Sequence, residues 1–249
     1  MKKGLLFAAL AGAMALPAAA DTLGIYAGVG QWQSDFSGDV TTEQVQLDNE
    51  LGLKDSDVTQ GYIHFEHPVP AIPNVRLAYA DISESGTGTV SREFEYGGNI
   101  YQADTQVSSS FDLTMTDVTL YYELWDMGGD LDLGITARNL DGDLAIDSEF
   151  DSGREDIDGW IPMLYAAVRF DLPLTGLYIG GQANGISYSG NSLIDYKVAL
   201  GYEFDLVAID LGLELGYRSL ELELDEDDVG DFESDIQLDG AFLNLVMHF

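Results

Sequence analysis

Apolar and polar residues alternate with a period of two through most of this chain, and that limits it to strands with two chemically different faces. Val118, Leu120, Tyr122 and Leu124 interleave with Asp117, Thr119, Tyr121 and Glu123. Leu131, Leu133, Ile135 and Ala137 interleave with Asp132, Gly134, Thr136 and Arg138. Ile194 to Phe204 and Ile209 to Tyr217 repeat the pattern, with Asp195, Lys197, Glu203, Asp210, Glu214 and Arg218 on the polar side. A soluble sandwich shows the same alternation with its apolar face turned inward. A membrane barrel turns that face to lipid. The period alone leaves both open.

Ten strands are expected. They run over Thr22–Phe36, Gln60–His67, Val75–Ser83, Phe111–Trp125, Leu131–Asp141, Trp160–Phe170, Leu177–Tyr188, Leu193–Phe204, Ala208–Leu222 and Ile236–Phe249. The connections alternate in length: short ones at Pro68–Asn74, Asp126–Asp130, Asp171–Gly176 and Asp205–Val207, longer ones at Ser37–Thr59, Glu84–Ser110, Gly142–Gly159 and Glu223–Asp235. Ser189–Ser192 breaks the rule by being short. Outer-membrane barrels have short periplasmic turns, longer outer loops and an even strand number. Pro68, Pro70 and Pro73 stiffen the first short turn. Residues 87–107 read as a hairpin above the wall, turning at Gly97-Gly98. Counting them as wall strands would give twelve, and eight is the other alternative.

Both chain ends point to a membrane barrel. Lys2 and Lys3, the apolar run Leu5–Leu16 and the small residues Ala18-Ala19-Ala20 form a secretory signal pattern, so residues 1–20 are expected to be a signal peptide and 21–249 the barrel domain. Leu243, Leu245, Met247 and Phe249 make one apolar face of a strand that ends on Phe. This ending resembles the terminal signature of Gram-negative outer-membrane barrels, which marks chains for the barrel-assembly machinery. With ten strands both termini lie in the periplasm. Parity then places an outward aromatic at the periplasmic end of each even-numbered strand: Phe65, Tyr122, Phe170, Phe204 and Phe249. That is an aromatic girdle. Of the eight basic residues beyond Lys3, five fall on inward parity: Arg76, Arg138, Arg169, Lys197 and Arg218. A cation on the lipid face costs about 2–4 kcal/mol at mid-depth.

Composition removes several function classes. A net charge of −34 argues against nucleic-acid binding, which needs a basic footprint. No cysteine is present, so disulfides and thiolate metal sites are excluded. No later segment has 18 consecutive apolar residues, so a helical span is not expected. With 46% hydrophobic residues, disorder is a poor reading of so acidic a chain.

Candidate functional residues fall in three groups. The inward charges Glu66, Arg76, Asp117, Glu123, Asp132, Arg138, Arg169, Asp195, Lys197, Glu203, Asp210, Glu214 and Arg218 either line a narrow pore or form a plug of ion pairs. About eight strands are just filled by side chains, whereas porins need about 16. Ten is near the closed end, so the plug is the favoured expectation. Glu66 and Arg76 flank the proline turn at a spacing that would let them pair. The acidic segments 141–158 and 221–235 are expected to be solvated loops. Divalent cations bridging to lipopolysaccharide phosphates are their alternative partners, although the spacing matches no defined calcium loop. Surface hydrolysis would need a histidine at the outer rim, and His64, His67 and His248 all map toward the periplasmic end. Pro162 inside a strand is awkward and is expected near the outer rim. Gly24, Gly28 and Gly30 are expected to leave room for large lumenal neighbours such as Tyr26 and Trp32.

The segment Tyr62-Ile63-His64-Phe65-Glu66-His67-Pro68-Val69-Pro70-Ala71-Ile72-Pro73-Asn74-Val75-Arg76-Leu77, with Leu120-Tyr121-Tyr122-Glu123-Leu124 and Leu47–Leu53, resembles a family of functionally uncharacterised proteobacterial outer-membrane proteins. The resemblance spans the chain after residue 20 and implies fold and location, but it supplies no catalytic or ligand-binding residues. The expectation is an all-β, transmembrane, antiparallel up-and-down barrel of ten strands. It is expected to be non-enzymatic, without cofactor or metal, and to have a structural or surface role and a largely occluded lumen. A narrow channel for small cations is the first alternative, and a surface hydrolase the second.

Overall fold

The computed structural model describes residues 23–69, 71–126, 129–206, 209–224 and 234–249. The signal peptide expected at residues 1–20 and most of the acidic segment 221–235 lie outside the described residues. Ten antiparallel strands form the wall: β1 Gly24–Val40, β2 Asp55–Glu66, β3 Asn74–Thr89, β4 Gln106–Asp126, β5 Gly129–Asp147, β6 Ser152–Asp171, β7 Leu177–Tyr188, β8 Asn191–Asp205, β9 Asp210–Leu224 and β10 Ser234–His248. Each strand pairs with the next, and β10 pairs with β1 from Tyr26↔His248 to Val40↔Ser234, so the sheet closes. Paired hydrogen bonds between Ile25 and Phe249 (3.3 and 3.0 Å) extend that seam.

The register fixes the size of the barrel. Crossing the ladders from Ile25 leads through Phe65, Val75, Leu120, Ile135, Leu164, Gly185, Ile194, Glu221 and Gln237, and returns to β1 at Ser37. The stagger is therefore 37 − 25 = 12 residues. With ten strands about 4.8 Å apart and a rise of about 3.3 Å per residue, the strands tilt by about 40° and the backbone cylinder is about 20 Å across. Facing side chains can meet across such a lumen.

The wall changes character partway up. On β4 the outward residues are polar from Gln106 to Thr116 and apolar from Val118 to Leu124. The inward residues do the opposite: Val107, Phe111, Leu113 and Met115 are buried and apolar, then Asp117, Thr119, Tyr121 and Glu123 follow. β5 switches in the same way, from Leu133 and Ile135 outside to Asp141 and Asp143, and from Thr136 and Arg138 inside to Leu140, Leu144 and Ile146. The half of the barrel that holds the chain termini is thus apolar outside and polar inside, and the other half, called the outer half below, is the reverse. On β8 the apolar outer face runs from Ile194 to Phe204, ten residue steps. At the tilt above these span about 25 Å, the height of a lipid-facing band. Phe65, Tyr122, Phe170, Phe204 and Phe249 project outward at the lower edge of that band, and Trp160 at the upper edge.

Because the strands continue above the band, three connections are shorter than their sequences suggest. The acidic stretch 141–158 is chiefly the continued β5–β6 ladder, with Asp141 opposite Asp158 and Asp143 opposite Asp156, and only residues 148–151 turn. Asp141, Asp143, Asp147, Asp156 and Asp158 are outward residues of a strand pair whose inward residues, Glu155 apart, are apolar. Residues 94–101 form a two-stranded hairpin through Gly97-Gly98, both with positive φ. This hairpin stands apart from the wall sheet, and the two-residue strand Val45–Gln46 only edges the top of β1, so ten is the wall count. It packs inward: the hydroxyls of Tyr96 and Tyr101 donate to the carbonyls of Leu144 (2.8 Å) and Ile146 (2.6 Å) on β5. The 41–54 connection folds in beside it and buries Leu47, Leu51 and Leu53.

Two ladders are short. β2–β3 has seven rungs, ending at Thr59↔Asp81, and β6–β7 has eight, ending at Leu164↔Gly185. Gly52 backs against Gly86 and Thr87 and fills the gap above the first. Pro162 lies two residues beyond the end of the second, where β6 has no β7 partner, so its missing N–H falls on a free edge.

Candidate functional site: the lumen

The lumen has three tiers. The lowest is a cavity of about 410 Å³, bounded on one side by Tyr26, Glu66 and Asp132 and on the other by Arg169, Lys197 and Glu203. Strand parity puts the carboxylates there: Glu66 ends β2, Glu123 lies near the end of β4, and Asp130 and Asp132 begin β5. Tyr121 donates its hydroxyl to Glu66 (2.7 Å). Arg169 forks onto Glu203 (3.0 and 2.7 Å), also reaches Asp171 (2.9 Å), and stacks 3.8 Å above the Tyr178 ring. Arg76 does not turn to Glu66. Its Nε donates to His64 Nε2 (2.8 Å), which requires a neutral imidazole with its proton on Nδ1. Asp210 lies at the rim that carries the chain termini, where it accepts from the Leu206 N–H (3.3 Å) and faces His248 (3.8 Å).

The middle tier is a belt of buried charges. Arg138, 1% exposed, donates two hydrogen bonds of 2.7 Å to Asp117 and one of 2.7 Å to Asp195. Arg218 forks onto Asp195 (2.9 and 2.7 Å), reaches Gln60 (3.0 Å), and lies 4.6 Å from the Trp32 ring. Gln60 passes the chain to Asn244 (2.9 Å), which donates to Glu214 (2.8 Å). Thr119, Thr136 and Asn184 form a second chain at 2.8 and 2.7 Å. Charge-assisted forks of this kind are the strong class of hydrogen bond. Arg76 and Arg138 each leave Nη1 without a protein partner beside a void of about 40 Å³. Lys197 holds its ammonium 4.9 Å from the Tyr62 ring and 6.0 Å from that of Phe242.

The top tier is a hydrophobic core. Trp32, Phe36, Phe111, Leu113, Met115, Leu144, Ile146 and Phe242 fill the outer half, with the 41–54 segment and the 94–101 hairpin packed over them. Glu50 ties these two covers together. It accepts from the Gln46 N–H (2.9 Å), from the Ser91 N–H (2.8 Å) and from the Ser91 hydroxyl, with Arg92 at 3.9 Å. Burial alone would raise its carboxyl, but these partners outweigh burial and hold it below its ordinary range.

The belt therefore joins Asp117, Arg138, Asp195 and Arg218, while Glu66, Glu123, Asp132, Arg169, Lys197, Glu203 and Glu214 border the cavity below. Leu243, Leu245 and Phe249 project outward and Met247 shares their parity. Tyr121 and Thr136, expected on the polar face, and Gln60, Tyr178, Asn184 and Asn244, which carry no formal charge to mark them in the sequence, complete the networks.

No family model matches the chain, and no curated protein matches it. Solved structures similar to it include the outer membrane protease OmpT from Escherichia coli, at 9% identity over 95% of this chain and 99% of that one, with a TM-score of 0.49. The transport unit of the autotransporter AIDA-I from Escherichia coli is similar at 9% identity over 96% and 94%, with a TM-score of 0.40. The β domain of the Bordetella autotransporter BrkA is similar at 12% identity over 92% and 99%, with a TM-score of 0.32.

Proposed function

We propose that the protein is a non-enzymatic, integral outer-membrane barrel with a structural or surface role, whose lumen is sealed against conduction. The reversal of the two faces partway up the wall carries this reading. A lower zone that is apolar outside and polar inside suits a barrel set in lipid, and an upper zone of opposite sense suits one standing in water. The tyrosine, tryptophan and phenylalanine residues at the two edges of the lower zone support the same placement. The charge belt and the apolar core above it support closure, since solute would have to break both. Both termini then face the periplasm and the β5–β6 extension stands outside, with its aspartates toward lipopolysaccharide and any bridging divalent cations. Insertion is assigned to the barrel-assembly machinery through the strand ending on Phe249. The three histidines support a non-enzymatic role only in that His64 and His248 lie by the periplasmic cavity and His67 beyond β2, away from the outer rim.

Reconstitution into planar bilayers tests the reading. Folded protein, identified by a heat-sensitive shift in gel mobility, should give no stable unitary conductance. Stable cation-selective openings would replace the sealed reading with the narrow channel. A protein soluble without detergent, with unshifted mobility, would remove the membrane reading itself.

A further inference from the structure

We propose that the lower lumenal cavity is a binding site for a small organic cation, an ammonium group carried on an aromatic or apolar body. Its volume of about 410 Å³ falls within the range of small-molecule pockets, about 300–1,000 Å³. Its charge is one-sided. Glu66, Glu123, Asp130 and Asp132 come together where β2, β4 and β5 meet the periplasmic edge. The charges that act on Asp132 are Glu66, Glu123 and Asp130, all of its own sign. Arg169, opposite Asp130 in the β5–β6 ladder, gives its donors to Glu203 and Asp171 and none to Asp132. Asp132 has no hydrogen-bond or ion-pair partner among the described residues. Like charges grouped in a lumen walled by lipid-facing strands repel strongly, and a bound cation relieves that repulsion.

A second observation points to the same place. Tyr165, on β6, is 3% exposed and lines the cavity, and its hydroxyl has no hydrogen-bond partner among the described residues. Arg76 acts on it from one side, and the carboxylates Asp132 and Glu66 from the other. The ring is buried while the hydroxyl opens onto the cavity, so a donor without a protein partner is free to serve a ligand there. The rings of Tyr26, Tyr62 and Tyr178 border the same space, and the rings of Tyr62 and Tyr178 already carry Lys197 and Arg169 respectively. Aromatic faces and carboxylates together recognise alkylammonium groups. Gly180 on β7 leaves the facing wall bare, with nothing nearer than 3.6 Å to a Cβ placed there. The ammonium would sit at Asp132 and Glu66, with the body against Tyr165 and Tyr26. The belt and apolar core above leave the periplasmic mouth as the way in and out.

Isothermal titration calorimetry on the full-length folded barrel in detergent tests this, with benzylamine as the probe, benzyl alcohol and benzoate as its neutral and anionic counterparts, and Mg²⁺ as a competitor. Detergent makes the result independent of whether the barrel conducts. Benzylamine should bind saturably, one per barrel, and about tenfold or more tighter than either counterpart. Asp132→Asn should weaken it about tenfold or more, and Tyr165→Phe by a smaller factor, each in protein that keeps its heat-shifted gel mobility. If Asp132→Asn fails to fold, the comparison of the three probes on the unaltered protein still decides. Equal binding of benzylamine and benzyl alcohol, preference for benzoate, absence of saturable heat, or tighter one-to-one binding of Mg²⁺ that displaces benzylamine would each overturn the proposal.

Discussion

Arg138 offers the sharpest test of the belt. Replacing it by Met keeps the unbranched apolar stem of the side chain but removes three hydrogen bonds of 2.7 Å. Asp195 retains the fork from Arg218. Asp117, 5% exposed, has no other ion pair among the described residues and becomes a buried, uncompensated carboxylate. Breaking one side of a buried pair costs about 3–5 kcal/mol. That is about two to four decades in the folding constant at about 1.36 kcal/mol per decade. Removing both charges should cost far less, because most of the penalty is the stranded carboxylate and not the lost contact. Arg138→Met with Asp117→Leu should therefore recover at least about 2 kcal/mol of the single variant's loss. Urea unfolding in lipid vesicles, scored as the fraction showing heat-shifted mobility, measures all three proteins. A cost below about 1 kcal/mol for Arg138→Met would mean that water reaches the belt, and a double variant no better than the single one would mean that Asp117 is not desolvated.

Three further outcomes follow from the wall and its covers. Leu213→Arg, on the apolar outward face of β9, should cost about 2–4 kcal/mol in the same assay, whereas Thr114→Arg, outward on β4 above the reversal, should change stability by about 0.5 kcal/mol or less; equal costs would remove the proposed membrane boundary. At Gly30 a Cβ would run into the Leu243 carbonyl across the closing seam, so Gly30→Ala should cost about 1–3 kcal/mol and lower the midpoint of the gel shift. Glu50 is held below its ordinary value of 4.5, so its contribution is complete above that pH and is lost as the pH falls through its lower folded value. Amide exchange over residues 45–53 should quicken in that acidic window, and Glu50→Gln should bring the same quickening to neutral pH; a flat profile would refute the tie between the two covers.

Much of this fold could be read from the chain because a barrel wall exposes its logic at every second residue. The apolar outward runs on β4, β5, β8 and β9, the outward aromatics from Phe65 to Phe249 and the Gly97-Gly98 turn all emerge from parity and local turn chemistry. The outer half was harder for a physical reason. Alternation has a period but no sign, so the aspartates from 141 to 158 looked like a loop when they are the wet face of a continuing ladder. Asp141 and Asp143 make sense only once Leu140 and Leu144 are seen to face inward. Partners across the lumen were also out of reach. That Arg138 meets Asp195, and that Arg218 meets Gln60, depends on a stagger of 12 residues accumulated over ten ladders, which no local pattern records.

The two short ladders give the belt a mechanical meaning. They divide the wall into two shells, one from β3 to β6 and the other from β7 round to β2, each joined internally by long ladders and to the other by seven or eight rungs. A hoop built that way breathes at its seams, flattening and rounding as the shells rock. Asp117 and Arg138 belong to one shell, Asp195, Arg218 and Gln60 to the other, and the hydrogen bond from Arg138 to Asp195 spans the interior between them. The Thr136–Asn184 and Tyr121–Glu66 contacts cross the same divide. The buried ions thus act as tie rods that hold the cross-section round, and a barrel without them would ovalise along the β2–β3 and β6–β7 lines before any strand came apart.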